Sequence, residues 1–245
     1  MGSEPKPILD AVGIRKQFGA LAVLDGVDFS VRSGEAVGIV GPNGAGKTTL
    51  LNILSGALRP NGGSVSFEST DITGASAARR CRLGIGRAHQ VPRPFGGMTV
   101  FENVFVGAAL GAGLRRARAY DRCVEALEQC ALLGVANRRA ESLGLIDRKR
   151  LELARALATG PTVLLLDEIG SGLTDAEAAE LVVTVNELRG RGIAIVWIEH
   201  IVHVLVQVVE RLVCMNAGRV IADGAPEAVL RDAAVIDAYL GTGAA

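Results

Sequence analysis

The stretch Gly41-Pro42-Asn43-Gly44-Ala45-Gly46-Lys47-Thr48 constrains this chain more than any other. It fits G-x-x-x-x-G-K-[ST], a loop whose glycines let backbone N–H groups turn inward around an anion. Such a loop needs a strand before it and a helix behind it. Ala36 to Val40 (AVGIV) is a short apolar run that reads as a buried strand. Thr49 to Ser55 (TLLNILS) reads as the start of a helix that ends at Gly56. The positive end of that helix adds to the field of the amides. In this setting Lys47 reaches the β- and γ-phosphates of a nucleotide, and the Thr48 hydroxyl binds Mg²⁺.

The chain has 245 residues, enough for one large domain or two small ones. Hydrophobic residues make up 49% and charged residues 21%, so a core can be buried. Lys+Arg and Asp+Glu are both 26, and a net charge of zero argues against a nucleic-acid binder that works by bulk electrostatics. The start, MGSEPKP, lacks an apolar targeting segment, and Lys6 stands where a myristoylation signal needs Ser or Thr. The longest apolar stretch, Ile201 to Val209, is broken by His203 and Gln207 and is too short to span a bilayer. A soluble or peripheral protein is expected. Cys81, Cys123, Cys130 and Cys214 form no C-x-x-C pair and read as small buried hydrophobes in a reducing compartment.

In chain order, Ile8 to Arg15 and Val27 to Val31 read as strands ahead of the phosphate loop, which implies an added antiparallel sheet. Phe18, between them, offers a face on which a base could stack, although by itself it reads as core. Ser64 to Phe67 is a further strand, Ala75 to Arg82 a short helix, and Gly84 to Ala88 a strand leading to His89-Gln90. Val91 to Gly97 is a loop by its prolines and glycines. Thr99 is placed to cap a helix through Phe105. Leu114 to Leu133 carries apolar residues at helical spacing, and Arg148 to Ala158 is a third helix with Asp147 placed to cap it. Residues 92–158 therefore read as a helical insertion, with 8–91 and 159–245 forming an α/β core in a single domain. Thr162 to Leu166 and Ile193 to Ile198 are buried strands, Asp175 to Leu188 and Ile201 to Val209 helices. Leu212 to Met215 and Arg219 to Ile221 form a hairpin before two short terminal helices.

Two acids, Asp167-Glu168, end the strand Thr162 to Leu166. In an open α/β sheet ligands bind beyond the carboxyl ends of the strands. Asp167 is therefore placed to hold Mg²⁺, and Glu168 to polarise an attacking water, a role that contributes about 10²–10⁴-fold. His200 ends the next strand, where it can bond a γ-phosphate or the water. His203 reads as an ordinary helix residue. Gln90, at another strand end, can bond Mg²⁺ and water or simply be solvated. No N-K-x-D guanine motif occurs, which argues against a small GTPase.

The order of phosphate loop, Gln90, an Arg/Leu-rich helix, Asp167-Glu168, Ser171-Gly172-Leu173-Thr174 and His200 resembles the ATP-binding subunit of ABC transporters over nearly the whole chain. Asp71-Ile72-Thr73-Gly74, the stretch Pro92-Arg93-Pro94-Phe95 through Glu102-Asn103, and Ile198-Glu199-His200 resemble, more narrowly, the ATPases of branched-chain amino acid importers. The resemblance implies a P-loop NTPase (RecA-like) α/β core with an N-terminal antiparallel β subdomain and an inserted α-helical subdomain. It implies ATP and Mg²⁺ as ligands. Phe18 takes the adenine-stacking position, and Gly41, Pro42, Asn43, Gly44, Ala45, Gly46, Lys47, Thr48 and Thr49 take the phosphates. Thr48, Gln90 and Asp167 take the metal; Glu168 is the catalytic base and His200 the switch histidine, with Lys47 completing the catalytic set. The implied partners are integral membrane permease subunits and a second ATPase subunit, hetero- or homodimeric, packed head to tail so that each ATP is closed by the partner's signature sequence. No nucleic acid is implied. The place is the cytoplasm, peripheral on the inner face of the cell membrane. A non-transport ATPase acting on nucleic acid or ribosomes usually carries two ATPase domains or long coiled insertions, and this chain shows neither.

The signature departs from the pattern. The family's L-S-G-G-Q aligns with Leu143-Gly144-Leu145-Ile146-Asp147. Gly144 replaces the serine whose hydroxyl binds the γ-phosphate, a charge-assisted bond of about 1.5–3 kcal/mol. Leu145 and Ile146 replace glycines that allow close approach. Asp147 brings a carboxylate near a polyanion; two unit charges about 4 Å apart in a medium of ε near 20 repel by about 4 kcal/mol. Arg148 and Lys149 are placed to offset it, or Asp147 turns away as a pure cap. Ile169 stands where the family usually has proline after the catalytic glutamate. These changes leave open an ATP-binding switch with weak hydrolysis as the alternative to a transport ATPase.

Overall fold

The computed structural model describes residues 6–240; residues 1–5 of the N-terminal stretch and 241–245 of the core range lie outside the described residues. The described chain runs β1 (Leu9–Phe18), β2 (Leu21–Val31), β3 (Ala36–Val40), α1 (Lys47–Leu54), β4 (Gly62–Phe67), β5 (Thr70–Asp71), α2 (Ala77–Leu83), β6 (Ile85–Ala88) and α3 (Val100–Val106). It continues with α4 (Arg116–Gln129), α5 (Leu145–Leu157), β7 (Val163–Asp167), α6 (Asp175–Gly190), β8 (Ala194–Ile198), α7 (Val202–Leu205), β9 (Arg211–Asn216), β10 (Arg219–Gly224), α8 (Pro226–Arg231) and α9 (Ala233–Leu240). No helix among the described residues is long and apolar enough to cross a membrane.

Two sheets form. One is antiparallel, in the order β2-β1-β4-β5, and the other runs β10-β9-β3-β8-β7-β6. In the second sheet β9, β3, β8, β7 and β6 are all parallel, and β10 adds an antiparallel edge through its hairpin with β9. The antiparallel sheet is the one expected ahead of the phosphate loop, with β1 and β2 longer than the sequence runs implied.

Strand residues alternate between two cores, as a period of two requires. Val37, Ile39, Val163, Leu165, Val196 and Ile198 face Leu9, Ile14, Phe29 and the α1 residues Leu50, Leu51 and Leu54. Leu164, Leu166, Ile195, Trp197 and Cys214 face the other way, onto α5, α6 and the turns after α7. A sheet buried on both faces explains why its strands read as unbroken apolar runs rather than alternating ones. Each fully buried Leu or Ile contributes about 1.5–3 kcal/mol.

Three helices differ from expectation. The helix expected from Arg148 starts at Leu145, with Gly144 as N-cap and no side-chain cap bond, so Asp147 lies in its first turn and does not cap it. The carbonyls of Leu143 and Glu141 are taken by the Arg148 guanidinium. The stretch Leu114 to Leu133 is helical only over Arg116–Gln129, and a π-helical turn, Gly107–Gly111, extends α3 instead. Ile201 to Val209 forms one short helix, Val202–Leu205; the β-branched residues that crowd it disfavour helix, and Val208 and Val209 reach the core from turns. Thr99 caps α3 in a full capping box with Glu102, as expected, and Thr174 does the same for α6 with Glu177. Cys123, Cys130 and Cys214 are buried and all four cysteines are free; burial raises Cys123 to about 11 and Cys130 to about 12.

Candidate functional site

Adjacent parallel strands β3, β8, β7 and β6 deliver their carboxyl ends to one edge of the sheet. β3 opens into the phosphate loop, β8 into Glu199-His200, β7 into Asp167-Glu168, and β6 into His89-Gln90. The residues singled out in the sequence therefore converge because four buried strands are hydrogen-bonded side by side.

The loop itself needs its glycines. Gly41, Gly44 and Gly46 have φ of 141°, 81° and 101°. A Cβ on Gly41 would lie 2.0 Å from the Met215 carbonyl oxygen, and one on Gly46 would lie 2.7 Å from Leu24 Cδ2. Helix α1 then begins with no side-chain cap and no acid in its first turn, so its opening amides and its dipole stay directed at the loop. Lys47 is buried, and its Nζ donates to the carbonyls of Gly41 and Pro42 at 2.7 and 3.0 Å. Burial lowers its pKa, while Glu168, Cys214 and Asp167 pull the other way. Thr48 and Asn43 are exposed, and Thr49 half-buried. Gly41 N–H donates to the Tyr239 hydroxyl at 2.8 Å, so helix α9 braces the loop.

Opposite the loop, Asp167 is buried, and its Oδ2 accepts from Arg87 Nη2 at 2.7 Å. Its Oδ1 is buried with no hydrogen-bond partner. A buried carboxylate oxygen is costly to leave unpaired. It fits a divalent cation, whose hard charge prefers oxygen ligands. Glu168 stands at φ 48°, in the left-handed region. Its Oε1 lies 2.6 Å from His200 Nε2, and its Oε2 accepts from Gln90 Nε2. Three residues from three strand ends thus meet at one carboxylate. His89, next to Gln90, has its pKa lowered by burial first and by Arg87 second.

Phe18 closes β1 with 51% of its surface exposed and Lys16 Nζ 5.1 Å from its ring centre. It is not a core residue, which corrects the reading made from the residue alone. Arg87 is, with Tyr239, a site residue that sequence reasoning missed. Its one signal is a charge inside the buried strand Ile85–Ala88. Besides Asp167 it binds Asn52 Oδ1 and Ser55 Oγ on the phosphate-loop helix, at 2.6 and 3.1 Å.

An anion-binding loop at the end of a central parallel strand, with a buried acid pair at the same edge two strands away, defines a nucleoside triphosphatase of the P-loop class. Comparison with known proteins narrows this. The chain belongs to the ABC transporter family, whose profile matches residues 24–171. A second profile, described as branched-chain amino acid ATP-binding cassette transporter, matches residues 219–245. The chain is 37% identical to the high-affinity branched-chain amino acid transport ATP-binding protein LivG of Salmonella typhimurium, over 96% of this chain and 98% of that one. It is 35% identical to BraF of Pseudomonas aeruginosa, with the same coverage. It is 32% identical to the lipopolysaccharide export system ATP-binding protein LptB of Haemophilus influenzae, over 96% and 97%. Among solved structures, a nucleotide-free ATP-binding cassette from an ABC transporter superposes with a TM-score of 0.87 at 32% identity, covering 96% of this chain and 99% of that one. A cassette in its ADP conformation gives 0.86 at 33%, with the same coverage.

Proposed function

We propose that this chain is the ATP-binding and ATP-hydrolysing subunit of an importer for branched-chain amino acids or similar small polar solutes, lying in the cytoplasm on the inner face of the membrane. The observation that carries it is the convergence of Lys47, Asp167, Glu168, Gln90 and His200 at one sheet edge, in a chain similar to LivG along its length. The amides of residues 43–48 and Lys47 take the β- and γ-phosphates, and Phe18 stacks on the adenine. Thr48, Gln90 and Asp167 Oδ1, which lacks a hydrogen-bond partner, would hold Mg²⁺, which when bound would neutralise phosphate charge. Glu168 accepts a proton from water as its oxygen attacks the γ-phosphorus, and the bond to the β–γ bridging oxygen breaks, giving ADP and phosphate. His200 and Gln90, already bonded to Glu168, orient the carboxylate and sense the γ-phosphate.

The helical segment 92–158, a subdomain inserted in the core, meets the membrane permease. Two ATPase subunits pack head to tail, each lending its signature to the other's ATP. The altered Leu143–Asp147 signature weakens the partner's site, so the pairing we favour is a heterodimer with one ordinary and one impaired site. The alternative, an ATP switch that hydrolyses weakly, is favoured by Leu145, 52% exposed at the start of α5 where a signature glycine is expected. Glu168→Gln separates the two. It should leave ATP bound and cut turnover by at least about 10²-fold. Equal rates in wild type and variant would remove Glu168 from the base role. Uptake of labelled leucine, lost with the same variant in the assembled transporter, tests the solute class.

A further inference from the structure

Glu168 is held in a backbone conformation that costs an ordinary residue about 1–2 kcal/mol. Something must hold it there. The resemblance places a proline directly after it, but this chain has Ile169. The loop Ile169-Gly170-Ser171 is instead gripped from two sides. Glu199 is 1% exposed. Its Oε1 accepts from Gly170 N–H at 2.6 Å, and its Oε2 accepts from His200 N–H at 3.2 Å. One carboxylate therefore ties together the backbones beneath the Glu168–His200 contact. From the other side Lys149, 7% exposed, donates from Nζ to the Ile169 carbonyl at 3.0 Å and to the Ser171 carbonyl. Gly170 is what lets the carboxylate in: a Cβ there would stand 2.7 Å from Glu199 Oε1.

We propose that Glu199 and Lys149 are positioning residues for hydrolysis: by clamping Ile169–Ser171 through backbone groups they aim the Glu168 carboxylate and hold it against His200. Two buried charges of opposite sign on one three-residue loop do the work that a rigid proline does elsewhere. Burial raises the Glu199 pKa, against the bonds from Gly170 and His200 that lower it, and burial lowers that of Lys149, against the field of Glu199 that raises it. The proposal rests on the reading of Glu168 as base. Because Lys149 lies in α5, it also ties the helix that follows the signature to this chain's own catalytic loop.

The test is steady-state ATP hydrolysis by the chain assembled with its second ATPase subunit, with binding of a fluorescent ATP analogue measured beside it. Glu199→Gln keeps one acceptor but sets an amide N–H₂ against the His200 N–H. Gly170→Ala pushes the carboxylate away, and Gly170 has no left-handed φ that would strain an alanine. Misplacement on the scale of an ångström costs about 10²-fold. Both variants should lose kcat by about that factor, with analogue affinity within twofold of wild type. Gly170→Ala combined with Glu199→Ala should lose no more than the worse single variant. Lys149→Met should lose turnover, and Lys149→Arg, which can still reach both carbonyls, should recover most of it. The clamp is overturned if Glu199→Gln and Gly170→Ala both keep wild-type kcat per binding-competent site. It is also overturned if turnover falls only as far as analogue binding does. If Glu168→Gln itself keeps turnover, the base reading is what fails; if Glu168→Gln is dead while the clamp variants run at full rate, the clamp alone fails.

Discussion

Arg87 and Asp167 form a buried pair whose value lies in where it leaves the second carboxylate oxygen. With Oδ2 held by the guanidinium, Oδ1 is left buried with no hydrogen-bond partner. Arg87→Met would strand a buried charge and release Asn52 and Ser55. Removing one partner of a buried pair typically costs about 3–5 kcal/mol, so chemical denaturation of this variant should show a loss of that size. A loss below about 1 kcal/mol would mean that solvent already reaches Asp167. The motif residues were legible because their spacing is local or sits at strand ends. Arg87 and Tyr239 were not, since their partners lie 80 and 198 residues away in sequence. Phe18 was misread as core when taken alone because an aromatic in a strand usually points inward, whereas here it ends the strand.

Element boundaries carry predictions of their own. Gly144 caps α5 with extended backbone and open space around a would-be Cβ. Gly144→Ser should fit without strain and stabilise the helix by a few tenths of a kcal/mol, because serine exceeds glycine as an N-cap by about that much. A lower unfolding midpoint would contradict that placement. The two capping boxes give a pH signature. Backbone bonds from Thr99 and Thr174 hold the Glu102 and Glu177 carboxyls below the usual range. A carboxyl depressed in the folded state adds stability above its unfolded pKa, about 4.3. That share is lost as pH falls through the folded value. Glu102→Gln with Glu177→Gln should therefore flatten the fall of the melting midpoint from about pH 4.3 downward; an unchanged slope would assign it to other carboxyls. The Thr99 cap was read from the sequence, whereas its box with Glu102 and the Thr174 box with Glu177 were not, although both have the spacing Thr-x-x-Glu. The start of α5 was not, because Leu145 and Ile146 carry no start signal and the bond that ends the preceding turn comes from Arg148.

At the scale of the molecule, a sheet buried on both faces sets the strand ends, and the strand ends set the site. That much was legible from apolar runs followed by acids, glutamine or histidine. The strand order was not, because register between distant strands is decided by packing of both cores at once. The signature belongs to this scale too, since in the proposed head-to-tail pair it acts on a partner's nucleotide. Gly144→Ser, Leu145→Gly and Ile146→Gly together should raise ATPase of the assembled pair at the site this chain closes, and unchanged turnover would count against the impaired-site reading. The most direct test of the whole account is a structure of the Glu168→Gln chain with ATP and Mg²⁺. The account predicts the triphosphate seated on the amides of residues 43–48 with Lys47 against the γ-phosphate, the cation facing Asp167 Oδ1, and adenine on Phe18. A triphosphate bound elsewhere, or a cation that ignores Asp167, would contradict it.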